Sequence, residues 1–169
     1  MNASEVLANL PLLIYGIAIA ELFSQWKRFI NFKNVYAPYA LMTIVLTEVA
    51  LYNVFLFAQL VDEIQSMSYR KYLVYLFPCI VFMITVYSFT PEKEDDTEEY
   101  FKKNIPVVFG LISIFVASHF LYVFDETRSV IIGRISILAL LILTVIFRKI
   151  WMIYPVSYTH LTLPTTSRV

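Results

Sequence analysis

Five apolar stretches, each near or beyond the length needed to cross a bilayer, constrain this chain more than any other feature. They run Leu7–Trp26, Pro38–Val61, Tyr72–Phe89, Ile105–Phe124 and Ile131–Phe147. About 30 Å of hydrocarbon takes roughly 20 helical residues, with ~17 as a lower limit. The reading is therefore all-α: a polytopic transmembrane helical bundle of about five helices. Composition agrees, with 59% hydrophobic and 15% charged residues and a mean hydropathy of +0.70. A soluble domain averages about 45–50% apolar and ~25% charged residues, and a soluble chain of this size has no room to hide the excess. The formal net charge is zero, so no general basic surface for nucleic acid is expected. The lipid bilayer is the expected partner. The single cysteine, Cys79, excludes an internal disulfide framework and a Cys-rich zinc site. It reads as a small buried hydrophobe. No Lys or Arg precedes the first run, and no small-residue cleavage site follows it, so that run reads as a retained helix rather than a signal peptide.

The chain divides into a transmembrane domain over 1–154 and a tail over 155–169. Val156–Val169, VSYTHLTLPTTSRV, resembles an in-frame translation of a transposase-type sequencing adapter. The codons GTC TCT TAT ACA CAT CTG ACG CTG CCG ACG encode Val156 to Thr165. A variable index then encodes Thr166, Ser167 and Arg168, and GTG followed by TAG gives Val169 and a stop. The expectation is that this tail is non-native and that the natural chain is cut near Tyr154. The alternative is a Thr-rich, solvent-exposed tail. Without it, His160 drops out and His119 is the one native histidine.

Lysine and arginine bias sets orientation. Lys27, Arg28, Lys33, Lys93, Lys102, Lys103, Arg148 and Lys149 fall on one side, eight against the four of Arg70, Lys71, Arg128 and Arg134 on the other. This places the N-terminus outside and the end of the fifth span in the cytoplasm. Trp26, Trp151 and Tyr154 sit beside cytoplasmic charges, where amphipathic rings anchor at headgroups. Within the first span Gly16, Ala20 and Ser24 recur every four residues. Such a row lets another helix approach closely, which is how membrane helices associate. Pro78 falls inside the third span and is expected to kink it. Asn104-Ile105-Pro106 reads as a cap and first turn of the fourth. The linker TPEKEDDTEEYFKKN, Thr90–Asn104, reads as a short cytoplasmic helix starting at Thr90-Pro91. Glu98 with Lys102 and Glu99 with Lys103 are favourable i,i+4 pairs, and Tyr100 and Phe101 are expected to dip into the interface. The acids Glu92, Glu94, Asp95 and Asp96 lack the glycine and ligand spacing of a calcium loop and read as a solvated face.

Ionisable groups within the hydrocarbon are the candidate functional residues. Glu48 lies near the middle of the second span. Its charge costs ~3 kcal/mol on the insertion scale, which about a dozen Leu, Ile, Val and Phe residues at roughly −0.4 kcal/mol each offset. Tyr52 lies one turn on, and this face is expected to point into the bundle. Glu48 reads either as a proton or cation site or as a carboxylic acid kept neutral by desolvation and bonded to a neighbouring helix. Glu21 reads as an interfacial ion pair with Arg28 or as an extension of a polar path from Glu48. His119 reads as a hydrogen-bonded core histidine or a proton relay. One native histidine supplies neither both axial ligands of a haem nor a multi-histidine metal site. Arg134 can snorkel to water or pair with Asp125 or Glu126.

The runs LPLLIYGIAIAELFSQWKRFI and YAPYALMTIVLTEVALYNVFLFAQL, followed by SFTPEKEDDTEEYFKKN entering a fourth span, resemble a family of uncharacterised bacterial multi-pass integral membrane proteins. The resemblance covers most of Leu10–Val123 and implies residence in the bacterial inner membrane. It carries no activity. No Ser-His-Asp arrangement, H-E-x-x-H motif or nucleotide loop is present, and no cofactor or metal is implied. Two functions remain open. One is a non-enzymatic helix-packing module that meets a second copy or a membrane partner. The other is a small proton- or cation-coupled transporter or channel that uses Glu48, with Glu21 and His119 as accessories.

Overall fold

A computed structural model describes residues 3–29, 35–92, 96–121, 128–148 and 154. The described chain is helical throughout, with no strand among the described residues. Six α-helices follow in order: α1 Ala3–Trp26, α2 Ala37–Gln59, α3 Val61–Ser66, α4 Tyr69–Phe89, α5 Thr97–Ser118 and α6 Arg128–Phe147. Single 3-10 turns extend α1 over Lys27–Phe29 and α5 over His119–Leu121.

Four of these helices, α1, α2, α4 and α5, are long and apolar enough to cross a membrane. The fifth apolar helix, α6, is shorter over its described side chains, Ile131–Phe147. The 20 residues of α6 rise ~30 Å at about 1.5 Å each, which matches the hydrocarbon thickness. Large apolar side chains such as Leu13, Phe55, Ile84 and Ile132 stand half-exposed around the outside. A soluble monomer does not present so continuous an apolar surface. The all-helical bundle with an oily exterior fits a multi-pass membrane protein.

Packing runs from α2 to α1, α1 to α4, α4 to α5 and α5 to α6. A further contact of α2 with α5 closes α1, α2, α4 and α5 into a ring, and α6 lies outside against α5. The inward row of α1 is Ala8, Pro11, Tyr15, Ala18, Leu22 and Gln25, all buried. Its alternating spacing of three and four keeps one side of a 3.6-residue helix toward its neighbours. In α2 the row through Met42, Val45, Leu46, Val49, Asn53 and Phe57 is buried in the same way.

Several interior hydroxyls and one amide bond back to their own helices. Thr43 donates to the Tyr39 carbonyl, Thr47 to Thr43, Asn53 to Val49 and Thr85 to Val81, all at 2.7–2.9 Å. Bonding back to a carbonyl one turn earlier lets a polar group enter an apolar core without a cross-helix partner. Cys79 is fully buried, with its Sγ against the Tyr75 carbonyl at 3.4 Å.

Two stretches differ from the sequence expectation. Thr90 ends α4 instead of starting a helix; its N–H donates to the Val86 carbonyl. The next helix begins at Thr97, where the Asp96 carboxylate accepts from the N–H groups of Glu98 and Glu99. This N-cap satisfies two donors that a helix start otherwise leaves bare. Linker helix and fourth span are therefore one continuous helix, and Pro106 lies inside it, two turns and more from the start. Phe101 is in the core, not at the interface. Beyond α2, the six-residue α3 was not anticipated; it tucks Ile64 beneath the bundle and carries Asp62 and Glu63 in its first turn, where the helix dipole favours acids. The end of α6 at Phe147 matches the end of the fifth apolar run, and Arg148 beyond it turns into the left-handed region at φ 51°.

Lys33, Lys93, Glu94, Asp95, Asp125, Glu126, Lys149, Trp151 and the whole 155–169 tail lie outside the described residues.

Candidate functional site

The ring of helices brings the end of α1, the start of α2, the end of α4 and the start of α5 to one end of the bundle. An open groove of about 1160 Å³ lies there, lined by both acids and bases: Glu21, Lys27, Arg28 and Glu92, with Ser24, Gln25, Tyr87 and Tyr100 between them. The α1 contribution follows from spacing. Glu21, Ser24, Gln25 and Arg28 stand at i, i+3, i+4 and i+7, so one helical face carries all four.

Arg28 is the organising group. Its Nη1 donates to the Thr97 hydroxyl at 3.1 Å, and its Nη2 donates to the carbonyls of Pro91 at 3.2 Å and Glu92 at 2.7 Å. One side chain thus ties the end of α1 to the α4–α5 connection, more than sixty residues on. All three acceptors are uncharged, so the guanidinium is held in place but not neutralised by them. The expected Glu21–Arg28 ion pair does not form, because the linker carbonyls capture the guanidinium. Glu21 makes no ion pair among the described residues.

Beneath the groove the polar side chains hand over to aromatic rings. Ser24 donates to the Glu21 carbonyl at 2.7 Å and accepts from the Gln25 amide at 3.0 Å. Gln25 Oε1 accepts from the buried Tyr39 hydroxyl at 3.2 Å. The Tyr39 ring stacks on Phe89 with centroids 4.5 Å apart and planes 12° from parallel. Phe101 meets both rings edge-on at 6.0 Å. Offset stacks and edge contacts of this kind contribute about 0.5–1.5 kcal/mol each beyond the area they bury. Tyr100 donates to the Ser88 carbonyl at 3.1 Å and closes the α4–α5 side. Just ahead of α2, the Tyr36 phenol is raised above its ordinary range, chiefly by burial. There the nearby Lys102 ammonium opposes the shift and Glu98 adds to it.

The other candidate residues are dispersed. Glu48 is half-buried at the border of the packed face of α2, and Tyr52, one turn on, is 38% exposed. The face they share looks outward, because Met42, Val45, Leu46, Val49 and Asn53 occupy the side toward the other helices. An apolar crevice of about 20 Å³ lies between α2, α4 and α5, lined by residues such as Met42, Leu46, Phe82 and Phe115, and Glu48 is not among its walls. His119 is at the opposite end of α5 from the groove; its Nδ1 lies 2.8 Å from the Phe115 carbonyl, and its ring meets Phe115 edge-on. Arg134, half-buried on α6, is near that same far end. The groove therefore collects Glu21 and Ser24 and leaves Glu48, Tyr52, His119 and Arg134 elsewhere.

Gly16, Ala20 and Ser24 are all exposed on the outer side of α1. A methyl group added at Gly16 would meet nothing within 4 Å. No group of three or more His, Cys, Asp or Glu side chains suited to a metal ion occurs among the described residues. Comparison with protein families, with curated proteins and with solved structures finds no match to this chain.

Proposed function

We propose that this chain is a non-enzymatic helical module of the bacterial cytoplasmic membrane that packs through the outer face of α1 against a second copy or a membrane partner. The observation that carries this reading is the division of labour on α1. Its larger inward row, from Ala8 to Gln25, is consumed by the bundle, whereas Gly16, Ala20 and Ser24 remain open on the other side. In oil, apolar contact alone gives two helices no reason to associate. Small residues that let backbones approach closely do, through dispersion and weak polar contacts. The reading keeps the N-terminus outside: the described cations Lys27, Arg28, Lys102, Lys103 and Arg148 share the groove end, against Arg70, Lys71 and Arg134 at the other.

The particle mass of the purified protein in detergent tests the packing. The wild type should run as an oligomer or a complex, and Gly16→Leu should reduce it to single chains while melting at a similar temperature. An unchanged mass removes the proposal. The transport reading makes the opposite demand. There, wild-type proteoliposomes would carry a proton or cation flux that Glu48→Gln abolishes. The outward-facing Tyr52 and the small, apolar-lined crevice support packing over transport.

A further inference from the structure

We draw no further inference here: the strongest candidate, the outward face of α2 that carries Ile44, Glu48, Tyr52 and Phe55 at mid-span, is an apolar surface broken by one carboxyl group, and nothing in the structure shows what covers it.

Discussion

The two ends of the bundle are held by different physics. At the Arg28 end, one side chain bridges α1 to the α4–α5 connection, and Tyr39, Phe89 and Phe101 form a buried aromatic plate between α2, α4 and α5. At the opposite end, two of the ties are local. Lys71 pairs with Glu63 at 3.0 Å, both side chains about half exposed, and His119 bonds within its own turn. The Tyr72 hydroxyl, donating to the Leu7 carbonyl at 3.0 Å, is a long-range tie at that end. The difference teaches where this fold stores its tertiary specificity. An exposed ion pair loses most of its Coulomb energy to solvent and to the entropy of two long side chains. A desolvated aromatic plate and a guanidinium shared among carbonyls do not.

That contrast can be broken by substitution, and thermal unfolding in detergent measures each case. Phe101→Ala removes the ring wedged against Tyr39 and Phe89 and should cost about 3–5 kcal/mol, the range for a buried aromatic truncated to alanine. Arg28→Ala releases three bonds at once and should cost about 2 kcal/mol, discounted for partial exposure. It should also raise proteolytic cleavage between α4 and α5. Tyr72→Phe deletes one cross-helix bond and should cost ~0.6–1 kcal/mol. Lys71→Ala should leave the melting temperature nearly unchanged, because solvent screens an exposed pair. If Lys71→Ala proves as damaging as Arg28→Ala, the asymmetry between the ends is wrong.

Much of the fold was legible in the sequence because oil imposes length. Helices α1, α2, α4 and α5 fall where apolar runs of about twenty residues fall, and Cys79 is buried as its neighbours required. The start of α5 was not legible from Thr90-Pro91, since Thr97, with Asp96 accepting from two N–H groups, is the stronger start. The candidate site was legible only in part. Glu21, Ser24 and Arg28 could be placed on one face of α1 by spacing alone. That Arg28 would bind the linker, and not Glu21, depends on a connection more than sixty residues away.

Hydropathy by itself determined that the protein is helical and where its long apolar helices lie; it read five spans where four helices are long and apolar enough to cross a bilayer and the fifth is shorter. Which side of each helix turns inward was decided only by tertiary packing. In water, an amphipathic stripe announces the buried face. Here α1 and α2 are apolar all round, so Ala8, Tyr15 and Leu22 look no more interior than Leu13 or Ile17, and the neighbours that fit against them settle the matter.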